Sequence, residues 1–335
     1  MKWFFCLIFC TSFLFADSQE MRIEVLERKM EEIGSQNASN SFGADFKNDT
    51  FERGWVGAEI FGGPIYYHAK VGGSEYVYSL ASGKGKVSSQ EFDWDFGYQV
   101  GVGAFLPIVK WEILGTYTHF GTQDVEGKGE IPQSLLVNLK GSYYVFSQNV
   151  KSTYKIDYDA AEIVLKRSSF LGSMFGLGSS LGAKKTWINQ DQRVEYSSIE
   201  NTLTEVKDRC RFEGVGPVLG MNLKWNLFWN LSLIGDVKAA LLYGDFEVKH
   251  TESPLEIKGD TQLFSPNIFF SFGLNKAFPF GAAQGFISFS YDADYYFRQN
   301  QMVSIGIPKR GALKVARHAE DLTFYGVSMK LGIEF

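Results

Sequence analysis

The sequence predicts an all-β antiparallel transmembrane barrel of about ten strands, with twelve as the alternative count, preceded by a short periplasmic amphipathic helix. Three observations carry that prediction: an unbroken alternation at the carboxy terminus, a series of similar segments before it, and a secretory leader at the start. In the last eleven residues Tyr325, Val327, Met329, Leu331, Ile333 and Phe335 share one face, while Gly326, Ser328, Lys330, Gly332 and Glu334 share the other. A period of two is that of a β-strand, and roughly ten tilted residues span a hydrocarbon layer. Only a closed barrel can present such strands to lipid, because an open edge leaves backbone groups with no water to satisfy them.

The chain opens with Lys2, an apolar run and Ala16 at the expected cut, which reads as a signal peptide over residues 1–16. Leu14 sits where a small residue is usual, so the cut is placed only to within a residue or two. Phe9 is too bulky for a lipobox before Cys10, which argues against lipidation. Removal of the leader takes Cys6 and Cys10 with it, leaving Cys210 as the last thiol and excluding an intramolecular disulfide. Cys210, read as part of a polar loop between Arg209 and Arg211, is either without a special role or a bridge to a neighbouring envelope protein.

Composition agrees with a membrane barrel. Aromatic residues make up 16% and glycines number 35, yet mean hydropathy is only −0.11, as expected where apolar and polar residues alternate. No apolar stretch approaches the ~20 residues of a spanning helix. The formal charge of −5 falls to −6 when Lys2 leaves, which argues against a nucleic-acid partner.

Residues 17–33 carry Ile23, Leu26, Met30 and Ile33 at coiled-coil spacing among charges, a short amphipathic helix that either frays alone or docks in an oligomer. Residues 34–54, rich in Ser, Asn and Gly, read as a flexible linker. The barrel is expected over 55–335. Its first strand is read at Trp55–Tyr67 and its second at Phe92–Leu106, where Phe92, Trp94, Phe96, Tyr98, Val100 and Val102 oppose Asp93, Asp95, Gly97, Gln99 and Gly101. Trp111–Phe120, Tyr154–Lys166, Phe170–Trp187, Phe212–Trp225 and a strand from Trp229 to about Leu241 follow, then Leu263–Leu274, Phe286–Tyr296 and the terminal strand. Short turns after every second strand put both termini on the periplasmic side, with long loops outside. Leu135–Phe146 is the segment that would add a hairpin and raise the count to twelve.

From about Trp55 to Phe335 the chain resembles the pore-forming major outer membrane protein family of the Legionella type, represented also in chlamydia-like bacteria. The resemblance lies in ordered segments: Trp55–Ile60, Tyr154–Ala160, the Gly-rich strand before Ile188–Asp191, Val194–Tyr196, Gly214–Gly220, Ala239–Asp245 and the last strand. It implies a porin or porin-like surface protein of the bacterial outer membrane, with no catalytic motif to transfer.

The residues themselves offer little for catalysis. Nucleophile elbows, His-Glu-x-x-His, Cys-x-x-Cys and phosphate-binding glycine loops are missing, so no enzyme, cofactor or metal ligand is expected. His68, His119, His250 and His318 fall in or beside different expected loops, and His119 near Asp124 and Glu126 is the one acidic-histidine grouping worth naming. Passive diffusion of ions and small hydrophilic solutes needs only a wetted lumen. Candidate pore-lining residues are Asp93, Asp95, Gln99, Glu112, Lys224, Asp236, Lys238, Lys330 and Glu334. About eight strands enclose packed side chains and about sixteen an open channel, so a pore here is expected to be narrow. The alternative is a plugged barrel serving as adhesin or structural envelope protein through its outer loops. Expected partners are outer-membrane lipid, the barrel-assembly machinery through the terminal strand residues Tyr325, Val327, Met329, Leu331, Ile333 and Phe335, and further copies of the chain.

Overall fold

The computed structural model describes residues 57–81, 84–106, 111–128, 134–138, 140, 146–171, 174–198, 203–280, 283–306, 314–317 and 319–335. The expected signal peptide, amphipathic helix and linker lie outside these residues.

Ten long strands pair antiparallel into a closed ring. In chain order with the smaller strands they are β1 (Gly57–Val71), β2 (Glu75–Ala81), β3 (Lys84–Ser89), β4 (Trp94–Leu106), β5 (Trp111–Lys128), β6 (Ser134–Asn138), β7 (Phe146–Leu171) and β8 (Phe175–Ser198). After these come β9 (Leu203–Asn226), β10 (Leu231–Glu252), β11 (Leu255–Phe280), β12 (Ala283–Asn300), β13 (Val303–Gly306), β14 (Lys314–Arg317) and β15 (Glu320–Glu334). Around the ring the order is β7-β5-β4-β1-β15-β12-β11-β10-β9-β8, and β8 returns to β7. Closure joins the first and last strands, Tyr66 opposite Val327 and His68 opposite Tyr325, so no edge faces lipid. Ala58 and Phe335 exchange backbone hydrogen bonds of 3.3 and 2.9 Å, which puts the two ends of the barrel chain together at one rim.

Ten is therefore the number of barrel strands. The segment expected to raise it to twelve forms β6, which pairs with β2 and with the outer end of β7. Together with β3 these short strands extend the sheet beyond the ring.

The strands run longer than expected, and two of the expected long outer loops are strand. β8 and β9 continue to Ser198 and from Leu203, and β10 and β11 meet across Ser253 and Pro254 alone. The cause is an inversion of polarity along each strand. On β9, Val215, Leu219 and Met221 are exposed on the outside. Farther out the apolar side chains Phe212, Cys210 and Val206 point inward and are buried, while Arg209, Arg211 and Lys207 face out. β10 repeats this, with Val237, Leu241 and Tyr243 outside and Leu242, Phe246 and Val248 inside. The outward-apolar stretch is the part that touches lipid, and the outward-charged stretch stands in water.

The lipid band is framed by aromatic residues. At the rim holding the termini, Trp225, Phe228, Trp229, Phe278 and Phe335 are exposed, and at the other edge lie Trp94, Tyr98, Tyr243 and Phe264. Amphipathic rings suit both interfaces. The rim with the termini is the periplasmic one, and β2, β3, β6, β13 and β14 gather at the extracellular end, where the longer connections of such barrels lie.

Candidate functional site: the barrel lumen

Alternation places one residue in two toward the axis, and along the axis the interior divides into three layers. Nearest the periplasm it is charged and hydroxylated. Glu59 and Glu334 stand opposite each other at the rim. Lys166 of β7 approaches Glu112 of β5 at 3.6 Å, and Lys238 of β10 binds Glu162 at 2.6 Å and Asp236 at 3.4 Å. Lys238 and Glu162 are 14% and 10% exposed, so each charge needs the other. A cavity of about 240 Å³ lies among these groups.

The middle layer is a hydrogen-bonded tyrosine–aspartate girdle. Tyr67 donates to Asp292 at 2.8 Å and Tyr158 to Asp294 at 2.9 Å. Lys184 reaches Asn267 at 2.8 Å and Asp294 at 3.4 Å, and Ser271 donates to Asp292 at 2.5 Å. Each tyrosine is amphipathic across the boundary, with its hydroxyl on the aspartates below and its ring in the layer above.

That upper layer is a packed apolar core. Ile65, Phe120, Ile156, Ile188, Leu242, Phe246, Tyr296 and Phe324 are at most 1% exposed and meet across the lumen. Tyr158 and Phe324 rings lie 4.7 Å apart and Phe120 and Phe324 5.5 Å. The end of β12 and the two residues after it turn into the mouth from outside. Gln299, Asn300, Gln301 and Met302 are buried, Gln299 accepts from Ser265 at 2.9 Å and Asn300 donates to the Gly72 carbonyl at 2.7 Å. A second cluster of Tyr76, Val77, Val150, Val194, Tyr196 and Val206 closes the extracellular end beneath β2.

Gln99, Lys224, Asp236, Lys238 and Lys330 line the lower cavity. Gln99 donates to Thr118 at 3.0 Å, and Asp95 accepts from Thr122 near the start of β4. Glu112 and Glu334 belong to the periplasmic rim, whereas Asp93 precedes β4 and is exposed. The terminal-strand residues Tyr325, Val327, Met329, Leu331 and Ile333 face outward from β15, and Phe335 follows its end. Sequence reasoning missed Glu162, Lys184, Asp292, Asp294 and the tyrosines that bind them. Their signal was a polar residue at every second position of β12, Ser288, Ser290, Asp292 and Asp294.

Two readings of the sequence are overturned. Cys210 lies inside the barrel on β9, fully buried, with its thiol 3.9 Å from the Gln299 carbonyl and its pKa pushed up to about 11 by burial. It is a strand residue, not a loop residue. The histidines sit in strands: His68 on β1, His119 on β5 and His250 on β10, with His318 outside the described residues. His119 faces outward and meets Asp159 at 2.7 Å, whereas Asp124 and Glu126 are on the opposite face of β5. His250 is buried against Asp208 at 2.5 Å.

Comparison with known proteins agrees with the barrel. A family model described as the Legionella pneumophila major outer membrane protein precursor matches residues 59–335. The chain belongs to that family. Its members' location follows for this member: the bacterial outer membrane. No curated protein sequence matches it. Among solved structures it is similar to the outer membrane protease OmpT from Escherichia coli, at 12% identity and a TM-score of 0.45, over 86% of this chain and 99% of that one. The translocator domain of the autotransporter NalP from Neisseria meningitidis follows at 11% identity and a TM-score of 0.29, over 96% and 98%. The toluene transporter TodX of P. putida is also similar, at 11% identity and a TM-score of 0.31, over 83% and 89%. These proteins differ in activity, and at such identities none of their activities transfers to this family member.

Proposed function

We propose that this family member is a major surface protein built on a plugged barrel, which holds a rigid charged wall above the outer membrane and performs no catalysis. The observation that carries this reading is the apolar core across the upper lumen, together with the Gln299–Met302 segment seated on it. An aqueous path needs polar groups to replace the hydration shell of a passing ion. In the described upper layer Phe120, Ile156, Ile188 and Phe324 offer none. Above the lipid, opposite charges on neighbouring strands hold the wall together: Arg209 binds Asp191, Arg193 binds Glu205, and Lys249 and Lys258 share Glu256 at 3.1 Å each. Such a surface suits adhesion or envelope packing through its extracellular end.

A second reading is passive diffusion of ions and small hydrophilic solutes, the porin role. The charged lower lumen favours it, because Lys166, Lys224, Lys238 and Lys330 wet the wall of the cavity. One experiment separates the two. Mature protein refolded in detergent, shown folded by heat-modifiable migration, is reconstituted in a planar lipid bilayer. A silent membrane is expected; discrete conductance steps from the unaltered chain would replace the plugged reading with the porin one.

A further inference from the structure

The cavity beneath the girdle holds two ammonium groups that no carboxylate pairs with directly among the described residues. Four lysines line it, Lys166, Lys224, Lys238 and Lys330, together with Asp236, and Glu112, Glu162 and the rim pair Glu59 and Glu334 belong to the same layer. Two of the lysines are committed: Lys238 to Glu162 and Asp236, and Lys166 to Glu112. Asp236 is further held by Asn222, which donates to it at 2.7 Å. Lys224 of β9 and Lys330 of β15 have no ion-pair partner among the described residues. The Lys330 ammonium lies 5.9 Å from the Phe61 ring centre. The two strands are separated around the ring by β10, β11 and β12, so the two ammonium groups enter the chamber from different walls.

A half-buried ammonium with no hydrogen-bonded counter-ion is costly, and an anion with several oxygens recovers that cost through charge-assisted hydrogen bonds. Ser288 and Thr116 add neutral donors on the same cavity wall. Glu59 and Glu334 sit opposite each other at the rim below, so an entering anion has to pass them to reach the two ammonium groups. We infer that the periplasmic half of the lumen is a binding site for a compact oxyanion, a phosphate or a short dicarboxylate, held between Lys224 and Lys330. A volume of about 240 Å³ admits such an ion with part of its hydration and excludes polymers. The site stands whether or not the lumen conducts, since it needs access from the periplasmic rim alone.

The test is calorimetric titration of the folded mature protein in detergent with inorganic phosphate, and separately with succinate, replacing chloride at constant ionic strength. Saturable binding of either ion is expected, and which one binds identifies the class. Lys224→Met and Lys330→Met should each weaken it at least tenfold, while Lys249→Met on the outer wall leaves it unchanged. No saturable binding of either ion overturns the inference, as does equal binding in both lumen variants. If a lumen variant fails to fold, acetylation of the unaltered protein followed by peptide mass spectrometry decides instead. The bound ion must then slow labelling of Lys224 and Lys330 relative to Lys249, and equal labelling with and without it sinks the site.

Discussion

At the residue scale the lumen shows what a barrel interior asks of individual side chains. Lys238 and Glu162 are both nearly buried and 2.6 Å apart, and removing one strands the other. Lys238→Met should therefore cost about 3 kcal/mol of barrel stability. Urea titration of the protein in detergent would measure this, and Lys238→Met combined with Glu162→Leu should recover most of the loss. Cys210 gives a second prediction. Its thiol is inside the wall and its pKa is raised by burial, so at pH 8 it is protonated and enclosed. A maleimide should leave it unmodified in the folded barrel and label it fully in urea; rapid labelling of folded protein would mean that β9 is misplaced. Glycine serves a different need at Gly273 on β11, where a Cβ would stand 2.1 Å from the Phe289 carbonyl of the neighbouring strand. No larger side chain fits there without pushing β11 and β12 apart.

At the scale of the element, the long strands carry two opposite amphipathic patterns joined end to end. β10 is apolar outward through Val237, Leu241 and Tyr243 and apolar inward through Leu242, Phe246 and Val248. The switch marks where lipid ends, and it explains why the outer halves of β8 to β11 read as polar loops in the sequence. A window across the switch shows apolar residues on both parities, which looks aperiodic although each half alternates. β15 repeats the switch, with Leu322 and Phe324 buried inward and Val327 and Leu331 exposed outward, and the sequence revealed only its lipid-facing part from Tyr325 on. Its last aromatic, Phe335, is 42% exposed and hydrogen-bonded through its backbone to Ala58. Phe335→Asp puts a charge at the lipid interface beside the closing seam. The expected outcome is a marked fall in heat-modifiable barrel recovered from outer membranes; normal amounts would show that the seam closes without the terminal aromatic.

At the scale of the whole molecule, the plug is one assembly of strands, girdle and inserted segment. Tyr158 links its layers, since its hydroxyl meets Asp294 and Tyr296 at 2.9 Å and its ring packs on Phe324. Replacing Tyr158 and Phe324 together by Ala removes two large side chains from the packed apolar layer and breaks the girdle bond. The double variant should show ion currents in planar bilayers that the parent lacks. Silence from a folded double variant would place the seal elsewhere, in the Gln299–Met302 segment or the cluster beneath β2.

The sequence by itself determined the class of the molecule: alternating ten-residue strands, aromatic edges and an even strand count point to a membrane barrel, because lipid permits few other arrangements. It also determined which residues of β4, of the lipid-facing half of β10 and of β15 from Tyr325 on share a face, since that follows from a period of two. Only the tertiary structure decided what those faces enclose. Glu162 and Lys238 are 76 positions apart in the chain, Tyr67 and Asp292 are 225 apart, and their contact depends on ring closure and register. Strand pairing turns ten separate alternations into one set of layers, and whether those layers leave a path or a plug depends on side-chain volumes summed across the lumen, a quantity no single segment carries.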